Sequence, residues 1–96
     1  MFIVFLKFAE NRAQAPQHME GHRAWLKRGF DDGVFLLAGS LKPDLGGGIL
    51  AAGAPREAVE ARVSEDPFVA ARVVEAEIVE FAPSKADPRL AFLEGA

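Results

Sequence analysis

Hydrophobic positions crowd both alternations at the start of the chain: Phe2, Val4, Leu6 and Phe8 on one, Ile3 and Phe5 on the other. Successive side chains of a strand point to opposite faces, so residues 2–8 predict a strand covered on both sides. The period then changes. Met19, His22, Leu26 and Phe30 recur at three- and four-residue spacing, which puts them on one face of a helix over residues 16–32 with Gly33 as its stop. Residues 34–38 predict a second strand, again apolar on both faces. Lys42-Pro43-Asp44 and Gly46-Gly47-Gly48 read as a turn with a flexible tip, followed by a short third strand at 49–52. The second and third strands should therefore pair antiparallel. Pro55 opens a second helix to about Ser64, with Ala58, Val59, Arg62 and Val63 spaced to dock it. Residues 73–81 form the fourth strand, where Val74, Ala76 and Ile78 make a more apolar alternation than Glu75 and Glu77, as expected nearer a sheet edge.

The order βαββαβ is that of a ferredoxin-like plait, an α+β fold whose antiparallel sheet carries two helices on one face. Two helices leave the other face bare, and strands apolar on both sides would then expose a large patch on a monomer. Isologous pairing of two such faces is the expected cover, giving a homodimer of stacked sheets or a shared dimeric α/β barrel. The competing cover is the C-terminal tail, residues 83–96, where Asp87-Pro88 introduces Leu90, Phe92 and Leu93 on a short helical turn. Residues 1–82 are accordingly read as one domain and 83–96 as a tail.

Charge and composition narrow the function classes. The net charge is −3 and no basic run appears, which argues against nucleic acid and anionic membrane as partners. The chain has 0 cysteines, so disulfides, thiolate nucleophiles and thiolate metal sites drop out, and a reducing, cytoplasmic location is the expectation. Its apolar opening lacks the basic start of a signal sequence, and Lys7 cuts the run short. Neither a dinucleotide fingerprint nor a haem attachment sequence occurs, so no cofactor is expected.

His22 carries the chemistry. An imidazole on an apolar helix stripe needs a partner or a task, and histidine can both take and give a proton near neutral pH. Asp66, in Glu65-Asp66-Pro67-Phe68, is the carboxylate that the loop leaving the second helix of a plait could bring to the first. Accepting from one ring nitrogen, it would fix the tautomer and leave the other nitrogen free. Aspartate before proline is also the grammar of a helix N-cap, and Asp87-Pro88 repeats it with no histidine in view. Spacing alone leaves both pairs of readings open: Asp66 as partner or as cap, His22 as proton carrier or as packed core.

His22-Arg23-Ala24-Trp25-Leu26, Gly33, Ala38-Gly39-Ser40 and Asp66-Pro67-Phe68-Val69-Ala70-Ala71, with the strand-forming first residues, resemble the YciI-like (YCII-related) family over roughly residues 1–82. The resemblance implies a dimeric ferredoxin-like protein with a histidine and an aspartate facing a pocket, here His22 and Asp66. Ser40 stands where the family pattern has proline, which brings a hydroxyl near that pocket. One similar group eliminates chloride from chlorinated ring-cleavage products with such a dyad, and the architecture is similar to that of muconolactone isomerases. What the resemblance implies is lyase-, isomerase- or dehydrochlorinase-like proton transfer on a small unsaturated organic acid, anionic ones included. His22 would act as general base or acid, Asp66 would orient it, and Ser40 or backbone amides would hold an oxyanion. The alternative is a non-catalytic ligand-binding or accessory dimer.

Other residues point less far. His18 and His22 have the spacing of a metal pair but lack a third firm ligand, so no metal site is expected. Gly46-Gly47-Gly48 lacks the following Lys-Ser/Thr of a phosphate cradle. Trp25 reads as packing, and Arg23 and Arg72 as solvated surface, although a guanidinium would fit a carboxylate.

Overall fold

The computed structural model describes residues 1–96. β1 (Phe2–Phe8), β2 (Phe35–Leu41), β3 (Gly46–Ala51) and β4 (Val74–Glu80) form a four-stranded sheet in the order β2-β3-β1-β4, antiparallel throughout. α1 (Ala15–Asp31) links β1 to β2, whereas α2 (Arg56–Ser64) and the single turn α3 (Pro67–Ala70) link β3 to β4. This is the βαββαβ order of a ferredoxin-like α+β fold, with β4 on an edge as its glutamates suggested. No helix is long and apolar enough to cross a membrane.

One alternation of the sheet makes the core. Phe2, Val4 and Leu6 of β1, with Ile49 and Ala51 of β3, pack against Trp25 of α1, Val59 and Val63 of α2, and Phe68 of α3. Each large aliphatic or aromatic side chain so buried removes apolar surface worth about 1.5–3 kcal/mol before conformational entropy is subtracted. Trp25 Nε1 donates to the Arg62 carbonyl at 2.9 Å, which satisfies the ring's polar tip and ties α1 to α2.

The buried seam of α1 is rotated from the expected stripe. Trp25 and Gly29 are its buried positions, Met19, His22 and Leu26 flank them, and Phe30 is 41% exposed. Gly29 decides this, because a Cβ there would lie 2.0 Å from the Phe35 ring. The sheet approaches where the helix is thinnest. On α2, likewise, Val59 and Val63 are buried while Ala58 faces solvent.

β2 runs longer than residues 34–38, and an irregularity between Phe35 and Leu37 turns Leu36 and Leu37 both outward. The largest departure lies at Gly46-Gly47-Gly48, expected as a turn tip and found inside β3. These residues pair with Lys7, Leu6 and Phe5 on one side and with Leu41, Ser40 and Gly39 on the other. Backbone partners on both sides outweigh the poor strand propensity of glycine. The chain reverses earlier, through Lys42-Pro43-Asp44, where Asp44 has φ 57°.

On the face without helices, Ile3, Phe5, Leu37, Leu41 and Leu50 surround a hollow of about 320 Å³ beside Gly39 and Gly48. The tail covers one end of this face. Pro83, Leu90 and Leu93 lie with Met1, Ile3 and Leu50 around a second cavity, and Leu93 is buried. Leu37 stays 61% exposed.

Asp87 caps the tail's 3-10 turn (Pro88–Leu93), accepting from the Arg89 backbone N–H at 2.9 Å and from Arg89 Nε at 3.0 Å. The Arg89 side chain first, then its N–H, hold the Asp87 carboxyl below its ordinary value. A lowered carboxylate pKa adds stability that is present above the unfolded value and lost as pH falls through the folded one. Amide protection of residues 89–93 is therefore expected to survive to the ordinary value of 3.8 and collapse only below it. Loss of that protection already above the ordinary value would exclude the cap as its source.

Candidate active site

α1 and α3 close over the glycine-bearing end of the sheet. Gly21 permits it, since a Cβ there would stand 3.1 Å from Pro67 Cγ. Asp66 sits just before α3 with extended backbone (φ −63°, ψ 121°), and its side chain accepts the Phe68 N–H at 3.0 Å. The same oxygen, Oδ1, lies 2.8 Å from His22 Nδ1. Cap and partner are thus one arrangement: the capping turn holds the carboxylate where α1 presents the histidine. An ionised carboxylate only accepts, so Nδ1 is the donor in this contact, and in the neutral ring that leaves the lone pair on Nε2.

Asp66 is 0% exposed and the His22 side chain 16%. A carboxylate taken out of water is costly unless it is paired. Here both donors fall on Oδ1, and Oδ2 has no partner, so the charge of Asp66 leans heavily on His22. Phe68 supports both members. Its N–H holds the aspartate, and its ring stacks on the imidazole with centroids 4.1 Å apart and planes 5° apart. Trp25 flanks the imidazole at 5.7 Å. Sequence reasoning took Phe68 only as part of a motif; its place two residues after the capping aspartate was the signal.

His22 overlooks two adjoining hollows of about 240 and 210 Å³, which share Leu6, Gly39 and Gly47 with it. Leu26, Ala38 and Ile49 wall the first; Phe8, Met19, Phe68 and Val74 wall the second. Ser40 lines the second hollow and is solvent-exposed. Hence His22 and Ser40 meet at one cleft, with Asp66 behind the imidazole. No Lys or Arg lines either hollow. Arg12 lies over the Phe8 ring at 3.9 Å and pairs with Asp44 at 2.5 Å, Arg72 pairs with Glu10, and Arg23 is exposed. His18 is half-buried, and no group of three or more His, Cys, Asp or Glu gathers as a metal site would require.

A family model described as the YCII-related domain matches residues 1–82. The chain belongs to the YCII-related family. No curated protein sequence matches this YCII-related chain. Among solved structures it is similar to 5-chloro-2-hydroxyhydroquinone dehydrochlorinase from Burkholderia phenoliruptrix AC1100, in complex with 2,5-dihydroxybenzoquinone. The TM-score is 0.69 at 14% identity, over 91% of this chain and 100% of that one. At that identity the YCII-related chain shares the neighbour's fold, and its chemistry has to be argued from its own cleft.

Proposed function

We propose that this YCII-related protein is a small-molecule acid–base enzyme of lyase, isomerase or dehydrochlorinase type, with His22 as proton carrier and Asp66 orienting it. The reading rests on the 2.8 Å contact between Nδ1 and a fully buried carboxylate, behind a ring that overlooks a cleft. Nε2 takes a proton from an acidic carbon or enol, and Asp66 stabilises the imidazolium that results. In an isomerisation the proton returns at another atom. In a dehydrochlorination the C–H electron pair becomes the new double bond, and chloride departs with the C–Cl pair. Ser40 is the side-chain donor available to a developing oxyanion.

Apolar walls without Lys or Arg offer an incoming carboxylate no counter-charge, so a small unsaturated acid fits best in its protonated form. The substrate class is flat and conjugated, as is the 2,5-dihydroxybenzoquinone held by the dehydrochlorinase. A non-catalytic binding dimer is favoured by the same lack of a charged donor for an oxyanion. Incubation with unsaturated lactones, dihydroxybenzoquinones and chlorinated analogues in deuterated water separates the two. Deuterium at an acidic carbon above the buffer rate is the expected NMR result. Binding without exchange would select the binding dimer, and no binding would remove both readings.

A second copy of the chain on the helix-free face completes the proposal. Phe5, Leu37 and Leu41 lie beyond the end that the tail covers, and a hollow of about 320 Å³ lies among them. Light scattering is expected to give about twice the chain mass of 10.3 kDa at micromolar concentration. Phe5→Glu should dissociate the pair, because burying an unpaired charge costs several kcal/mol. A monomeric wild type at that concentration would exclude this interface.

A further inference from the structure

β3 places two different kinds of glycine side by side. Gly46 has φ +129°, and a Cβ there would fall 2.0 Å from the Leu6 carbonyl oxygen, so the fold itself requires glycine. Gly47 has no such requirement. Its φ lies outside the left-handed region, and a Cβ would meet only the Gly39 carbonyl oxygen, at 3.4 Å. Glycine inside a strand sacrifices packing and chain entropy, and often marks a place where another body approaches the backbone.

The register says which body. Gly47 stands opposite Leu6 on β1 and opposite Ser40 on β2. Leu6 points into the core beneath the helices, so the absent Gly47 side chain would rise toward the same side. Gly47 also lines both hollows that His22 overlooks. The space a side chain would fill is therefore space in the cleft, walled on one side by the imidazole.

We infer that Gly47 is a specificity-determining residue, left bare so that a flat ligand can lie on its peptide group within reach of His22 Nε2. This inference rests on the acid–base reading of the cleft and adds a limit to it. A planar conjugated carbon skeleton passes over Gly47, whereas a puckered ring, or one substituted out of plane at the reacting carbon, collides with the β3 backbone.

The test uses the purified full chain, with hydroquinone as the flat probe and cyclohexane-1,4-diol as its puckered counterpart, both neutral and both carrying two hydroxyls. Wild type is expected to bind the flat probe more tightly. Gly47→Ala is expected to melt no lower than wild type, since alanine is the better strand residue, yet to bind the flat probe about tenfold more weakly. Gly47→Val should extend the loss to about a hundredfold. Equal binding of both probes by wild type, or wild-type affinity in Gly47→Ala, would overturn the inference while leaving the role of His22 intact. A lowered melting temperature in Gly47→Ala would also overturn it, by showing that the fold needs this glycine. Conversely, loss of binding in the Gly47 variants with unchanged deuterium exchange in His22→Gln would keep the size limit and remove the acid–base reading. Failure of wild type to bind the flat probe would overturn both.

Discussion

Replacing His22 with glutamine is expected to slow deuterium exchange at an acidic substrate carbon by roughly 10²–10⁴-fold, the usual contribution of a positioned acid–base group. Glutamine is close in size and its amide can still donate to Asp66 Oδ1, so the buried carboxylate keeps a partner and the fold survives. What is lost is the only ring nitrogen at the cleft able to accept and return a proton. Asp66→Asn supplies the companion measurement. With its Oδ1 in place, asparagine still accepts from Nδ1 and from the Phe68 N–H, so the tautomer is kept, but a neutral amide stabilises the imidazolium less than a carboxylate does and exchange is expected to slow. Full exchange in His22→Gln, with a melting temperature near wild type, would assign the proton transfer to another group.

Gly46→Ala is expected to be the most damaging single methyl group in the sheet. The residue holds φ +129°, where an L side chain is strained, and the new Cβ would stand 2.0 Å from a backbone oxygen of β1 that cannot rotate away. Strain and overpacking together put the loss at about 2–5 kcal/mol, read as a lower midpoint in urea. Gly47→Ala, one position along, should leave that midpoint unchanged or raised. An unchanged midpoint in Gly46→Ala would mean that β3 slides relative to β1, and the Gly47–Leu6–Ser40 row beneath His22 would then no longer be fixed by register.

Local pattern made the plait legible. The doubled alternation of residues 2–8, the three-and-four spacing along α1 and the acidic alternation of β4 are properties of period, and period is a consequence of backbone geometry that neighbouring residues express by themselves. Cap grammar was legible for the same reason: Asp66 and Asp87 both accept the N–H two residues on, as aspartate before proline does within its own turn. Their fates were not legible. Asp87 lies exposed beside Arg89, whereas Asp66 is buried against His22, 44 residues earlier in the chain; the turns differ two residues on, arginine against phenylalanine, but neither names a partner so far away.

Long-range packing decided the rest. Helix rotation followed the contact of Gly29 with Phe35, which no count of large hydrophobes along α1 contains. The glycines of β3 looked like a turn because glycine breaks isolated strands; two neighbouring strands, brought from elsewhere in the chain, supply hydrogen bonds that reverse the preference. The sequence by itself determined the elements, their order and the residue types able to move a proton. Only the tertiary structure decided which carboxylate meets the imidazole and where the backbone is left bare beneath it, because both depend on distances between segments that the chain closes only by folding.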